Sequence, residues 1–107
     1  MDWLVYLACF AAGAFFVNGV PHFVAGVSGR KFHSPFARPP VWGESSALVN
    51  AIWGLANLFI GFQLLCLPCV SDLELNPKVL FFSLGAFIMT WALAVVFSRI
   101  DKKGCIQ

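Results

Sequence analysis

Three long apolar runs, separated by two short polar segments, divide the chain. The middle run, Ala47 to Leu67, reads ALVNAIWGLANLFIGFQLLCL without a charged residue. A helix of that length, at 1.5 Å rise per residue, reaches about 31 Å, close to the hydrocarbon thickness of a bilayer. The first run covers positions 3–27 and the third 78–97. The expected fold class is an all-α integral membrane protein: a single domain of three transmembrane helices, with a loop over 28–46 and a second over 68–77.

Polar and small residues inside the runs are patterned rather than scattered. In the middle run Asn50, Gly54, Asn57 and Gly61 fall at spacings of four, three and four, which places them on one helical face. A stripe of amide and small side chains facing lipid would leave hydrogen-bonding capacity unused, so it is expected to receive the two flanking helices. The third run carries Ser83, Ala86, Thr90 and Ala94 at spacings of three, four and four, a second helix-packing stripe. The first run has a slim middle, Ala8 to Ala14, and then meets Asn18, Pro21 and His22. A single helix kinked near Pro21 is the favoured reading, over a helix ending near Val20 and followed by an interfacial piece. Helix starts are marked as well. Glu44, Ser45 and Ser46 precede the middle run with capping hydroxyls and a carboxylate that complements the dipole, and Asn76-Pro77 predicts the start of the third helix.

The first loop, SGRKFHSPFARPPVWGESS, mixes the bases Arg30, Lys31 and Arg38 with Phe32, Phe36, Val41 and Trp42. That combination suits the headgroup region, where aromatic rings sit at the interface and bases meet anionic lipid; folding back as a lid over the bundle mouth is the other reading. Bases also set orientation. Arg30, Lys31, Arg38, Arg99, Lys102 and Lys103 fall on one side of a three-span protein, against Lys78 on the other. The positive-inside bias places the N-terminus and second loop outside, and the first loop and C-terminus in the cytoplasm. The acid in Met1-Asp2-Trp3, where a signal peptide would carry a base, predicts that the first run is retained.

Composition sharpens this picture. Hydrophobic residues make up 60% of the chain and charged ones 11%, so lipid must be the solvent for most of it. A net charge of +2, confined to segments flanking the runs, gives no reason to expect nucleic acid as a partner. The expected location is a plasma membrane, the inner membrane in a bacterium.

Candidate chemistry is sparse. Asn18, His22, Glu44, Asn50 and, deeper, Asn57 form a polar group near the cytoplasmic half. It reads either as a small pocket with His22 binding a ligand or exchanging protons, or as interhelical hydrogen bonds fixing helix register. Cys66-Leu67-Pro68-Cys69 places a thiol pair at the outer end of the middle run, able to form a disulfide. It resembles the CxxC of quinone-linked disulfide-generating membrane proteins of the DsbB and vitamin K epoxide reductase type, over these four residues. Those proteins have four core spans and a further cysteine pair, a role that Cys9 and Cys105 cannot fill. A thiolate at Cys66 is also disfavoured by the C-terminal end of a helix dipole. No metal site is expected, since His22, His33 and the thiols do not combine at ligand spacing, and no cofactor is expected.

These patterns favour a non-enzymatic subunit that associates with copies of itself or with a larger membrane complex. A small oligomeric transporter or channel lined by Asn18, His22, Asn50 and Asn57 is the alternative, with a small-molecule ligand. Thiol redox through Cys66 and Cys69 comes third.

Overall fold

A computed structural model of the chain describes residues 3–106, with side chains through 101. Residues Lys102, Lys103 and Cys105 of the basic tail thus have their side chains outside the described part. The chain forms α1 (Trp3–Val27), β1 (Phe32–His33), β2 (Glu44–Ser45), α2 (Ala47–Cys66), α3 (Pro68–Ser71) and α4 (Leu75–Ile106). Among the described residues three helices are long and apolar enough to cross a membrane: Trp3–Val27, Ala47–Cys66 and Leu75–Asp101.

α1 runs unbroken through Pro21. Ser46 caps α2, its hydroxyl accepting from the Val49 N–H at 3.2 Å. α4 starts at Leu75, three residues before the expected start of the third run, and the 68–77 segment holds a helical turn of its own. Asn76 is therefore inside α4 rather than its cap. Pro77 is tolerated there because the first turn's N–H groups have no intrahelical acceptor to lose. At its other end α4 continues past 97 to Ile106.

The middle run is not the helix on which the others dock. α1 takes that position: it packs along both α2 and α4, which scarcely meet each other. The reason is that α1 is slim on two faces. Toward α2, Gly19 abuts the Gly54 carbonyl and Gly26 abuts the backbone of Ala51, while Gly54 lies on the backbone of Phe23 and Gly61 on the Phe16 ring. Toward α4, Gly13 meets the Phe82 carbonyl and Gly85 meets the Phe10 carbonyl. A Cβ at any of these glycines would push against a neighbouring helix, so backbones approach as closely as membrane helices allow. Asn50, Gly54, Asn57 and Gly61 are all buried, on the face of α2 that packs along α1.

The expected stripe on α4 meets α1 at Ala86 but otherwise turns away from it. Gly85 is buried and Phe82 and Ala86 border the contact, whereas Ser83, Thr90 and Ala94 are exposed. At 100° per residue the two faces are turned about a third of a turn apart. Glycine backbone and aromatic rings, Tyr6 on Phe81 and Phe16 on Phe82, outcompete the Ser/Thr stripe for α1. The Thr90 hydroxyl instead turns back to the Ala86 carbonyl at 2.8 Å.

The two ends of the bundle differ. At the α3 end, Val5, Cys9, Val70 and Leu73 form a buried apolar cluster flanked by Tyr6, Leu65 and Phe81. At the other end the 28–46 segment folds back over the helices. β1 and β2 pair antiparallel, Phe32 opposite Ser45 and His33 opposite Glu44, and Ser34 and Ala37 are buried. This is the lid form of the loop. Phe32 turns inward onto His22 and Phe97, while Arg30, Lys31, Arg38, Phe36 and Trp42 stay exposed.

Candidate functional site

The polar residues of the first two runs meet, but as two separate pairs. Helices α1 and α2 run antiparallel, so positions deeper in one face positions deeper in the other. Asn18 Nδ2 donates to Asn57 Oδ1 at 3.0 Å, and Asn57 Nδ2 donates to the Trp53 carbonyl at 2.8 Å. One turn nearer the lid, His22 Nδ1 lies 3.0 Å from Asn50 Oδ1. Asn50 and Asn57 are fully buried and His22 is 3% exposed.

Asn50 is the junction of the lid end. Its Nδ2 reaches the carbonyls of Phe32, Ser45 and Ser46 at 3.0, 3.2 and 3.1 Å. Three acceptors around one amide nitrogen fix which end of the amide is which, so Oδ1 must be the atom facing His22. An acceptor there requires the imidazole to carry a proton on Nδ1. His33 is set the same way: its Nδ1 lies 3.2 Å from the Trp42 carbonyl and 3.0 Å from that of Gly43. Asn50 thus ties together α1, the start of α2 and both strands of the lid.

Around these polar bonds stands an aromatic shell. The His22 ring meets Phe32, Phe97 and Trp53 edge-on at centroid distances of 5.4, 6.4 and 6.5 Å, and His33 stacks on Phe97 at 5.8 Å. Between lid, α2 and α4 lies a cavity of about 120 Å³, lined by Asn18, His22, His33, Trp53, Leu93 and Phe97 among others. A smaller one, about 80 Å³, continues along α1 past Ala14, Phe15 and Met89 and shares Asn18 with the first.

Glu44 does not join the cluster. It is exposed in β2, and its part in the lid is the strand pairing with His33. Cys66 and Cys69 are both exposed free thiols, the first closing α2 and the second in the short α3. Among the described residues no group of three or more His, Cys, Asp or Glu side chains is arranged to hold a metal ion. Phe32, Ser34 and Trp53 belong to the site although the sequence reading did not place them in the polar group. The signal for the first two was the run of turn residues after Ser34, which shortens the loop enough to return Glu44 and Ser45 beside Phe32 and His33. No protein-family model matches the chain, and no curated protein and no solved structure matches it significantly.

Proposed function

We propose that the protein is a non-catalytic integral membrane subunit acting in an assembly of its own copies or within a larger membrane complex. In this reading it lies in a plasma membrane, the inner membrane of a bacterium, with its N-terminus outside and its C-terminus in the cytoplasm. Asn18, His22, Asn50 and Asn57 hold α1 and α2 in register, since their polar atoms are engaged with one another or with the lid. The observation that carries the reading is the outward small face of α4. Ser83, Thr90 and Ala94 are exposed beside Phe87, which is 75% exposed. Small residues on a membrane-spanning surface let a second helix approach closely, and here the chain's own helices leave that face uncovered.

Cysteine cross-linking in the native membrane tests it. With the native cysteines replaced by Ser, Ser83→Cys and Ala94→Cys are expected to cross-link between copies, and Ile88→Cys, on another face of α4, is not. Equal yields at all three positions would remove the homo-oligomer form. Native mass spectrometry from nanodiscs reporting one copy and no companion chain would remove the assembly reading altogether.

A second reading, a small oligomeric transporter or channel, draws on Asn18 standing in both cavities along α1. It predicts that His22→Ala abolishes a solute flux. An architectural histidine would instead lower stability and leave no flux to lose.

A further inference from the structure

We infer that the protein holds one anionic phospholipid where the lid meets α2, with an acyl chain in a groove beneath Phe36 and the phosphate among the lid bases. The inference rests on the membrane reading above. A groove of about 360 Å³ lies between α2 and the lid, walled by Val49, Ile52, Trp53 and Ala56 of the helix and by Phe36 of the lid. The four helix positions are spaced three, one and three apart, so they stack along one face, about a third of a turn from the face that packs on α1. The groove therefore runs parallel to the helix axis for about 10 Å, starting in the first turn of α2. That is the direction in which an acyl chain lies. Phe36 is 61% exposed, yet its ring stands edge-on to Trp53 with centroids 5.0 Å apart. It overhangs the groove, whereas Ser34 and Ala37 on either side of it are buried in the lid. The one polar side-chain atom among the five walls, the Trp53 indole nitrogen, is itself buried. Nothing polar faces an occupant, so hydrocarbon is what fits.

Charge decides which lipid. Arg38 follows Phe36 by two residues, so its Cα lies within about 7 Å of that of Phe36. It is exposed, as are Arg30 and Lys31. Across residues 28–46 these three bases stand against one acid, Glu44. Guanidinium and ammonium groups at the level where a helix enters the bilayer attract anionic headgroups, and the planar arginine fork matches phosphate oxygens. The groove at the other end of the bundle supplies the contrast. It is lined by Leu65, Val79 and Phe82 beside Lys78, and the connecting segment there carries Asp72 and Glu74. Acids outnumber the base, so a phosphate gains nothing at that end. Only the lid end joins an acyl-sized groove to an excess of positive charge.

The test titrates the full chain, released from nanodiscs, with phosphatidylglycerol and with phosphatidylcholine of identical acyl chains, and counts bound lipids by native mass spectrometry. One phosphatidylglycerol per chain is expected, held at least about tenfold more tightly than phosphatidylcholine. Arg38→Gln should weaken phosphatidylglycerol about five- to tenfold and leave phosphatidylcholine unchanged. Ile52→Trp fills the groove from an exposed position and should weaken phosphatidylglycerol about fivefold with the unfolding midpoint unchanged. Leu55→Trp adds the same bulk at an equally exposed position outside the groove and should have no effect. Equal affinity for the two lipids, or indifference to Arg38→Gln, would overturn the headgroup site. Indifference to Ile52→Trp, or an equal loss from Leu55→Trp, would show diffuse attraction to the lid bases and overturn the groove. A chain that does not enter nanodiscs at all would overturn the membrane reading, and the site with it.

Discussion

The lid end and the α3 end of the same bundle are held by different physics. At the lid end, α1 and α2 are joined by the Asn18–Asn57 and His22–Asn50 hydrogen bonds as well as by glycine contacts. At the α3 end, and along the whole of α4, α1 is met by apolar side chains, rings and glycine backbone, with no side-chain hydrogen bond to α4 among the described residues. In lipid the hydrophobic effect does not tell one apolar register from another, because the bilayer is as apolar as the partner helix. Hydrogen bonds do, since a slipped register leaves polar groups unpaired in hydrocarbon. The α1–α2 pair is therefore locked in register, whereas α4 is positioned by shape alone.

The largest effect should come from adding one methyl group to the locked pair. Gly54→Ala places a Cβ against the Phe23 backbone, and the helices cannot slide to relieve it without breaking the amide pairs. A cost of about 3 kcal/mol is expected, at the upper end for overpacking. Gly85→Ala meets the Phe10 carbonyl, but α4 can shift, so about 1 kcal/mol is expected there. Reversible unfolding in mixed micelles measures both. Equal costs would mean that α4 is held as rigidly as α2 and would break the contrast.

Next comes Asn50→Ala. It strands His22 Nδ1 and uncovers the carbonyls of Phe32 and Ser45, for about 2.5 kcal/mol. Because the Asn50 amide bonds to both lid strands as well as to His22, amide exchange should rise across residues 28–46 and stay unchanged around Val70. The counterpart is Val70→Ala in the apolar cluster, where two buried carbons are lost for about 2 kcal/mol. There the lid amides should keep their protection. Exchange that spreads from either site to the other end would show one cooperative unit instead of two.

The sequence carries the helices more plainly than the site, for a physical reason. Apolar length and 3.6-residue spacing are local, so the three runs, the Ser46 cap and the shared face of Asn50, Gly54, Asn57 and Gly61 can be read from neighbours along the chain. Which helix stands in the middle cannot. It depends on α1 being slim on two faces, and Gly19 and Gly26, seven apart, were the readable trace of one of them. The Ser83–Thr90–Ala94 stripe was legible as a small face, but a stripe does not say whether it meets the chain's own helix or faces outward. The pairing within the polar group was equally hidden. Asn18 with Asn57 and His22 with Asn50 follows from the antiparallel offset, and Glu44 is kept out by its place on the exposed side of the lid.

The smallest effect tests how firmly the lid is shaped from below. Val41 has φ of 68°, in the left-handed region that β-branched residues strongly avoid. It is held there because its N–H donates to the Ser34 carbonyl at 2.9 Å while its side chain lines the cavity. Val41→Gly removes a conformational penalty of about 1–2 kcal/mol. Against that stand roughly 0.5–1 kcal/mol of added chain entropy in the unfolded state and the loss of part of a half-buried side chain. The net should be stabilising by less than about 1 kcal/mol, seen as a slightly higher unfolding midpoint with lid exchange unchanged. A clear loss of stability would mean that packing of the Val41 side chain outweighs the strain. The lid would then be held by the apolar contacts of its underside as much as by Asn50, and the distinction between the two ends would narrow to the α1–α2 register alone.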